Sequence, residues 1–338
     1  MKARIQAISY YLPLSTLSNT DINKLFPEWS IDKIAEKTGI VNRPISGADE
    51  FSSDMGIKAA ERLFEEHQID RNTIDFILFC TQSPDYFLPT TACVIQDRLN
   101  IPTSAGAMDF NLGCSGYIYG LGVAKGLIES GIAKNVLFIT AETYTKFIHP
   151  NDKSVRTIFG DAAAATLITG IESVEEQIGP FVLGTDGKGA EKLMVKNGGM
   201  RHAFIHTEEA FGEDSLGNFQ SSDHLYMKGS DIFVFTLQSV PKLCRELLEK
   251  AQTNYDQIDL IIFHQANKHM LEALRKKINI PAEKFYIFIE NCGNTVSSTI
   301  PIALSEAIKE GKAKSGDTVM LVGFGVGYSW GGTIIKIG

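Results

Sequence analysis

The chain has 338 residues, of which 44% are hydrophobic, and it carries a formal net charge of −8. This length and apolar content allow one large domain or two of ordinary size, while the acidic balance without a basic run excludes nucleic acid and an anionic membrane as direct partners. The first residues, MKARIQAISYYLP, lack the apolar core of a signal peptide, and no apolar run approaches the roughly 20 residues of a membrane span, so we expect a cytoplasmic protein.

Similar elements recur in the two halves of the chain. Residues 59–80, AAERLFEEHQIDRNTIDFILFC, align without a gap with residues 243–264, LCRELLEKAQTNYDQIDLIIFH. Each copy predicts an amphipathic helix, a polar connection and a short apolar strand. Further along, NVLFITA at 135–141 matches DTVMLVG at 317–323, which predicts two more buried strands.

The repeat predicts two similar α/β halves, residues 1–170 and 171–338, which pack as one body. Alternation of strand and helix within each half favours central sheets covered by helices. The stretch from about 171 to 230, which contains NGGMRHAFIHTEEAFGEDSLGNFQSS, is predicted to be loop-rich and to join the halves.

The five cysteines are scattered and form no CxxC pair; they are Cys80, Cys93, Cys114, Cys244 and Cys292. An odd number of isolated thiols indicates neither a disulfide framework nor a structural zinc site, and we expect no bound metal. A cysteine with a chemical role must therefore be recognised from its surroundings.

The internal repeat places three reactive side chains at related positions. Cys114, in GCSG, and Asn294, in GNTV, each stand at the start of a predicted helix. His264 ends a predicted strand where Cys80 ends the matching strand of the other half. In open α/β sheets, the carboxyl ends of strands and the starts of the following helices form the ligand crevice. We therefore expect Cys114, His264 and Asn294 to meet in one crevice.

Cys114 has the surroundings of an acyl-accepting nucleophile. The positive end of a helix dipole and free backbone N–H groups lower the pKa of a thiol, so we expect a stabilised thiolate. Glycines on either side let a substrate carbonyl approach the backbone closely. Taken singly, these residue types are more often a core cysteine, an interior histidine and a helix cap, but their symmetric placement favours a shared catalytic role.

A glycine cluster, GFGVGYSWGG at 323–332, lies near the end of the chain. It contains GxGxG but precedes a predicted strand rather than a helix, so it does not fit a dinucleotide-binding loop. It predicts either a tight turn that exposes backbone N–H groups to an oxyanion or a closely packed connection between strands.

The sequence resembles the β-ketoacyl-acyl-carrier-protein synthase III family of thiolase-fold enzymes over essentially the whole chain. The motifs that carry the resemblance are GCSGY around Cys114, FGDAAAA (159–165), HQAN (264–267), GNT (293–295) and the terminal glycine cluster. The resemblance implies a thiolase-like, five-layered αβαβα fold built from two pseudo-symmetric halves, usually as a homodimer. It implies that Cys114, His264 and Asn294 are catalytic, and that the backbone N–H groups of Cys114 and Val326 form an oxyanion hole.

The activity implied by the resemblance needs no metal or redox cofactor. An acyl thioester of coenzyme A or of acyl carrier protein loads Cys114, and a decarboxylative Claisen condensation with malonyl-acyl-carrier-protein follows, as in fatty acid biosynthesis. Acyl carrier protein is then a protein partner, and acyl coenzyme A and malonyl thioesters are substrates.

The resemblance also implies a set of residues that bind substrate or carrier, namely Trp29, Lys33, Lys37, Phe87, Lys153, Gly229, Phe233, Asn267 and Lys268. This set includes departures from the family pattern. Lys33 stands where many members carry a Trp that stacks on the adenine of coenzyme A, and Trp29, four residues earlier, is a candidate substitute. Lys37 stands where an Arg is common. These departures leave the identity of the primer thioester open.

Three other interpretations remain open at the level of sequence. The first is an acyltransferase or condensing enzyme of a specialised pathway that uses acyl-Cys114 with a different donor or acceptor. The second is a cysteine hydrolase, because Cys, His and Asn occur in the same chain order in papain-like proteases; the duplicated α/β pattern argues against it. The third is a thioester-binding module without catalysis.

Overall fold

The structure is a computed structural model that describes residues 1–204, 211–213 and 218–338. The elements of the first sheet and its surroundings are β1 (Lys2–Tyr11), β2 (Ser15–Ser18), α1 (Asn19–Leu25), α2 (Ile31–Thr38), β3 (Asn42–Ile45), α3 (Ser52–Glu66), β4 (Phe76–Cys80), α4 (Thr91–Arg98), β5 (Gly106–Phe110), α5 (Gly116–Glu129), β6 (Asn135–Glu142), α6 (Lys153–Arg156) and β7 (Ala162–Ile171). The chain continues with β8 (Ile178–Thr185), β9 (Leu193–Met194), β10 (Phe211–Glu213), β11 (Phe219–Ser221), β12 (Tyr226–Met227), α7 (Gly229–Ala251), β13 (Leu260–Phe263), α8 (Lys268–Ile278), β14 (Phe285–Tyr286), α9 (Thr299–Lys309), β15 (Thr318–Gly325) and β16 (Ser329–Lys336).

Two five-stranded mixed sheets repeat one design. The first has the strand order β1-β7-β6-β4-β5, and the second has the order β8-β16-β15-β13-β14. In both sheets the first three strands pair antiparallel and the last three pair parallel. The aligned sequence segments therefore occupy equivalent strands, β4 with β13 and β6 with β15. The boundary between the two halves, placed between residues 170 and 171, stays a prediction.

Helices complete five layers. Helices α3 and α4 cover the outer face of the first sheet, α5 and α9 lie between the two sheets, and α7 packs on the outer face of the second sheet with α8 beside it. A buried apolar cluster fills each of the interfaces. Burial of apolar surface in these layers is the main stabilising term of such a fold. The predicted five-layered α/β fold with thiolase-like, pseudo-symmetric halves is confirmed.

A close approach between α5 and β6 fixes the position of the central helix. Gly120 faces the Phe138 ring so closely that an ideal Cβ at this position would overlap the ring. The same ring stacks on Tyr117 at a centroid distance of 5.4 Å. This close packing requires a glycine at position 120, and it holds the start of α5 in the middle of the molecule.

A small antiparallel ribbon of β2 and β3 carries α1 and α2. The Ser30 side chain accepts a hydrogen bond from the Lys33 backbone and begins α2, and Gly39 ends α2 in the left-handed conformation at φ 72°. The side chain of Lys268 lies directly over Gly39, where a Cβ would collide with it. The end of α2 is thereby packed against the start of α8.

The joining segment differs from the prediction. It was expected to be loop-rich, but β8 within it pairs with β16 as an edge strand of the second sheet. The glycines and the proline of β8, in IGPFVLGT, weaken the strand signal of its sequence. Residues 205–210 and 214–217 of the same segment lie outside the described residues. Within the described part of the chain, we find no helix that combines the length and apolar character needed to span a membrane.

Candidate active site

Cys114 lies in the short connection between β5 and α5. Ser115 is the N-cap of α5, so the thiol sits immediately before the first turn of the central helix. Gly116 lets this turn approach the end of β4, because a Cβ at Gly116 would collide with Cys80 Sγ. The Cys114 side chain is buried, with 5% of its surface exposed.

The end of β15 reaches Cys114 from the other half of the molecule. An ideal Cβ on Gly323 would lie 2.8 Å from the Cys114 carbonyl oxygen, and one on Gly325 would lie 2.9 Å from Cys114 Sγ. Only glycine fits at these two positions, so the terminal glycine cluster forms a hairpin that is pressed against the nucleophile. The backbone N–H groups of Cys114 and Val326 lie close enough to the sulfur to oppose the rise of its pKa. The oxyanion hole that the resemblance implies at these two N–H groups stays a prediction.

The charge state of Cys114 differs from the sequence-based expectation of a stabilised thiolate. Burial and, to a smaller extent, the negative charge of the nearby Glu142 carboxyl together raise its pKa to about 12, against the opposing effect of the two backbone N–H groups. A helix start lowers a thiol pKa only where its dipole outweighs the loss of water. The resting nucleophile is therefore a thiol, and it needs a base when it attacks.

His264 follows β13 directly, and its backbone N–H donates to the Val322 carbonyl at 2.7 Å. The side chain is 2% exposed, and burial lowers the pKa of the imidazole to about 3. His264 is therefore neutral, with one proton shared between two possible ring positions. Its Nδ1 lies 2.7 Å from Thr299 Oγ1.

The Thr299 hydroxyl is compatible with either tautomer of His264. It lies 3.0 Å from the Val296 carbonyl oxygen, to which it donates when it accepts from a protonated Nδ1. If the hydroxyl turns and donates to Nδ1, the proton of the imidazole must reside on Nε2. One rotating hydroxyl thus lets Nε2 act either as an acceptor or as a donor.

Asn294 is fixed by the backbone on both sides. Gly293, with φ 65°, allows the sharp turn before it, and the backbone N–H of Asn294 donates to the Ile158 carbonyl at 2.9 Å. Its side-chain Oδ1 accepts from the Val296 N–H at 2.9 Å, which directs Nδ2 toward His264 Nε2 at 3.5 Å. Asn294 precedes a 3₁₀ turn (Val296–Ser298) and not the α-helix itself, which begins at Thr299.

One cavity of about 120 Å³ brings the three predicted residues together. Cys114, His264 and Asn294 all line it. Its apolar wall is formed by side chains of both halves, namely Ile158, Phe159, Leu193, Met227, Ile232, Ala266, Met270 and Phe324. Apolar walls with a few converging polar groups are typical of sites for small organic substrates.

Two of the predicted substrate-binding residues also line this cavity. Gly229 is exposed and marks its mouth, and Asn267 lies beside it, although the Asn267 side chain is engaged as the N-cap of α8 through the Met270 N–H at 2.9 Å. Phe233 is half-buried and stacks on His269 at a centroid distance of 5.6 Å. Phe233 packs against the cluster that contains Cys114 but does not line the cavity.

The remaining predicted substrate residues do not line the cavity. Lys33 and Lys37 are exposed on α2, and Trp29 is half-buried against the small cluster of Ile22, Phe26 and Ile34. Lys153 forms an ion pair with Glu28. Lys268 is exposed at the start of α8, and Phe87 is 80% exposed in the loop between β4 and α4.

Family comparisons match both halves of the chain. The model described as 3-oxoacyl-[acyl-carrier-protein (ACP)] synthase III matches residues 108–187, and the model of the C-terminal part of the same enzyme matches residues 248–337. A β-ketoacyl-[acyl-carrier-protein] synthase III from Clostridioides difficile is 37% identical over 335 residues, which cover 99% of this chain and 98% of the relative. The chain belongs to the synthase III family.

Solved structures of synthase III enzymes agree over the whole chain. A 3-oxoacyl-(acyl-carrier-protein) synthase III at 2.1 Å resolution superposes with a TM-score of 0.98 at 47% identity, with both chains covered completely. A synthase from Burkholderia xenovorans superposes with a TM-score of 0.91 at 34% identity and covers 100% of this chain and 95% of its own. As a synthase III, the protein is an acyltransferase-type condensing enzyme.

Two polar residues of this synthase III site escaped the sequence analysis. Glu142 is completely buried at the end of β6, where its carboxylate accepts from the Gln82 N–H at 3.0 Å and from the Ser297 hydroxyl at 2.9 Å. A charged residue at the end of the apolar strand NVLFITAE was the available signal. Thr299, the partner of His264, gave no such signal, because Thr at a helix start is ordinary.

Proposed function

We propose that the protein transfers an acyl group from a thioester to Cys114 and then condenses it with a malonyl thioester, with loss of carbon dioxide, in fatty acid biosynthesis. The observation that carries the proposal is the shared cavity, in which a thiol, an imidazole and a carboxamide converge next to two backbone N–H groups. The family to which the chain belongs supports the same reaction class.

The first half-reaction requires deprotonation of a buried thiol. As Cys114 Sγ forms a bond to the thioester carbonyl carbon, its proton passes to the neutral Nε2 of His264, with Nδ1–H donating to Thr299. The N–H groups of Cys114 and Val326 stabilise the carbonyl oxygen as it becomes an oxyanion. When the donor carbon–sulfur bond breaks, the leaving thiolate takes the proton from His264. Acyl-Cys114 and a free thiol result.

The second half-reaction needs stabilisation of an enolate. The carbon–carbon bond to the malonyl carboxylate breaks, carbon dioxide leaves, and the electron pair moves toward the thioester carbonyl oxygen. Asn294 Nδ2 and, in its other tautomer, His264 Nε2 donate hydrogen bonds to that oxygen. The carbanion then attacks the acyl carbon, the bond to Cys114 breaks, and the sulfur takes up one proton. A carboxamide suits this position because it donates at any pH.

A carrier protein is proposed as the partner that delivers the malonyl group. Exposed lysines surround the junction of α2 and α8, with Lys33 and Lys37 on α2 and Lys268 on α8. On α2 the lysines alternate with exposed Asp32 and Glu36, so the excess of positive charge lies on α8, where Lys276 and Lys277 are also exposed. A local positive excess on a chain whose net charge is −8 suits an acidic partner or a phosphate. Coenzyme A thioesters and carrier thioesters share the phosphate-bearing arm and are the proposed substrate class.

A homodimer is proposed from two exposed features of the first sheet. Strand β5 is its edge strand, with Met108 37% exposed, and unpaired edges invite pairing with another strand. The nearby loop exposes Tyr86, Phe87 and Leu88 by 60% or more, and apolar patches of this kind mark interfaces. Sedimentation of the wild type and of Leu88→Asp tests this, with a monomeric wild type as the contrary result. The cytoplasmic location stays a prediction.

Intact-protein mass spectrometry tests the catalytic proposal. Wild type is mixed with acetyl coenzyme A and chased with malonyl carrier. We expect an acetyl adduct that disappears as a ketoacyl thioester forms. Cys114→Ala gives no adduct, and Cys93→Ala, which removes an exposed thiol, is the matched control and behaves as wild type.

Asn294→Ala separates the two half-reactions. This variant retains the two backbone donors and Cys114, so it forms the adduct but fails to decarboxylate malonyl carrier. Normal condensation by Asn294→Ala would contradict the proposed role of Asn294. An adduct that persists in the malonyl chase of wild type favours transfer to another acceptor, and an adduct in Cys114→Ala contradicts the proposal.

A further inference from the structure

Arg43, on β3, is a charged side chain that the proposed mechanism does not use. It is completely buried, and it is the largest of the fully buried side chains among the described residues. Burial of a charge is costly unless the charge is paired, and within the described part of the chain Arg43 forms no ion pair with a carboxylate. Stability alone therefore does not account for an arginine at this position.

The guanidinium of Arg43 is held by neutral oxygen atoms. Its Nε donates to the Thr157 carbonyl at 2.7 Å, and its Nη1 donates to Asn19 Oδ1 at 2.7 Å. Nη1 also lies 3.4 Å from the carbonyl oxygens of Leu17 and Val41. Nη2 is buried and has no hydrogen-bond partner among the described residues. The two short hydrogen bonds thus fix the guanidinium between the start of α1 and the chain segment at Thr157.

The segment that directly follows Thr157 carries Asn294. The backbone N–H of Asn294 donates to the Ile158 carbonyl at 2.9 Å, and the Asn294 carbonyl accepts from the Gly160 N–H at 3.0 Å. Phe159, between these two partners, and Asn294 thereby form an isolated parallel β-bridge. The backbone of Asn294 is therefore bonded on both sides to the three residues after Thr157.

Arg43 also packs beside the turn that precedes Asn294. Gly293 has φ 65°, and an ideal Cβ at this position would lie 3.2 Å from Arg43 Cγ. The same Cβ would lie 3.0 Å from the Ile158 carbonyl oxygen. Gly293 is thus enclosed between the aliphatic part of the arginine and the segment that binds Asn294. Arg43 therefore supports both stretches of backbone that fix this carboxamide.

We propose that Arg43 is a positioning residue for the condensation step, because it sets the place of Asn294 Nδ2 relative to the thioester carbonyl oxygen of the malonyl group. Acetyl loading uses Cys114, His264 and the Val326 N–H, and none of the described hydrogen bonds of Arg43 reaches these groups. The inference rests on the proposed role of Asn294 and names the residue on which its placement depends.

Separate measurement of the two half-reactions tests the inference. In full-length Arg43→Lys the charge remains, but one ammonium group cannot replace the two edges of the guanidinium that bind Thr157 and Asn19. Acetyl loading of Cys114, followed by intact mass, should stay within about twofold of the wild-type rate, because the groups used in that step keep their partners. The loaded enzyme is then chased with malonyl carrier. The acetyl adduct should disappear about 10- to 100-fold more slowly, since a misplacement of about 1 Å costs up to about 10² in rate.

The dependence on malonyl carrier concentration separates positioning from docking. Asn294 stabilises the enolate, which forms only after the substrate is bound, so its misplacement should lower the maximal rate of condensation with little change in KM. Arg43 also belongs to the β2–β3 ribbon that carries α2, and a displaced carrier surface would raise KM instead. A rise in KM with an unchanged maximal rate would overturn the inference.

Two further variants keep the test independent of folding. Asn19→Ala retains Arg43 but removes the acceptor of one of its two short hydrogen bonds, so it should slow condensation selectively by a smaller factor. Leu63→Ala opens a cavity behind α3, in the outer layer of the first sheet, and is the destabilised control. It should lower the melting temperature while the ratio of the two rates keeps its wild-type value.

The outcomes separate this inference from the proposed function. Wild-type condensation by Arg43→Lys, or slowing of both half-reactions by the same factor, would overturn the inference while the loss of condensation in Asn294→Ala still supports the proposed function. If Arg43→Lys does not unfold cooperatively, Asn19→Ala decides by the same criteria. Normal condensation by Asn294→Ala would overturn the proposed role of Asn294 and this inference with it.

Discussion

Gly325→Ala is expected to leave the fold intact and to abolish efficient acylation of Cys114. The added Cβ would lie 2.8 Å from Cys114 Cβ and 2.9 Å from Cys114 Sγ, whereas ordinary contacts between such atoms begin near 3.4 Å. The backbone of Gly325 is not in the left-handed region, so alanine itself introduces no backbone strain. The end of β15 must move away from the sulfur by several tenths of an ångström to relieve the contact.

That movement carries the Val326 N–H with it, because Val326 is the next residue. Loss of one oxyanion donor costs about 2.7–4 kcal/mol, or about 10²–10³ in rate. We therefore expect acetyl loading to slow by this factor. The overpacked contact costs about 1–3 kcal/mol, so the protein should still unfold cooperatively but at a lower melting temperature. The assay is the time course of the acetyl adduct by intact mass, beside a thermal melt of the same sample.

Gly122→Ala is the matched control for Gly325→Ala. Its Cβ would lie 3.6 Å from the nearest atom, in Phe181, which is an ordinary contact, and alanine is the better helix former within α5. This variant should load acetyl as the wild type does. Wild-type loading by Gly325→Ala would refute the argument that the glycine at this position exists to admit the nucleophile and orient the Val326 donor.

Three further predictions concern charge and packing. His264 is neutral because burial lowers its pKa to about 3, so the rate of acetyl loading should show no inflection near pH 6.5, and a clear one would contradict a neutral imidazole. Burial raises the pKa of Glu142 to about 8, so the folded state holds a proton that the unfolded state releases near pH 4.5. The free energy of unfolding should therefore fall as the pH rises from 4.5 through 8. In denaturant titrations, Glu142→Gln should flatten this pH dependence. Gly120→Ala should lower the free energy of unfolding by about 1–3 kcal/mol, because its methyl group meets the Phe138 ring, and unchanged stability in the same titrations would contradict the packing argument.

The duplicated order of strands was accessible from the sequence because buried strands and amphipathic helices leave periodic patterns. The alignment of residues 59–80 with 243–264 located β4 and β13 and, with them, the strand end that carries His264. Strand β8 was missed because a half-exposed edge strand with glycine and proline has little pattern. The spacing of apolar residues in the sequence reflects which side of an element is buried, so the pattern is weakest where burial is partial.

The meeting of Cys114, His264 and Asn294 followed from the repeat, but the charge state of Cys114 did not. The local sequence indicates the helix start, whereas the pKa of the sulfur depends on residues far away in the chain. Phe324 lines the cavity that buries the sulfur, and Glu142 acts through its negative charge. The hydrogen bond from Arg43 to Thr157 is equally non-local, since the two residues come from β3 and from the connection between α6 and β7. Contacts of this kind become visible only when the strands are assembled.

The surroundings of the sulfur also bear on inhibition and resistance. The end of β15 approaches Cys114 at Gly323 and Gly325, and the backbone N–H of the following residue, Val326, also lies close to the sulfur. A covalent inhibitor that accepts hydrogen bonds from the backbone N–H groups of Cys114 and Val326 would rely on main-chain donors, which truncation of a side chain does not remove. Escape by mutation would have to distort the hairpin itself, and that distortion would impair the enzyme's own use of the same donors.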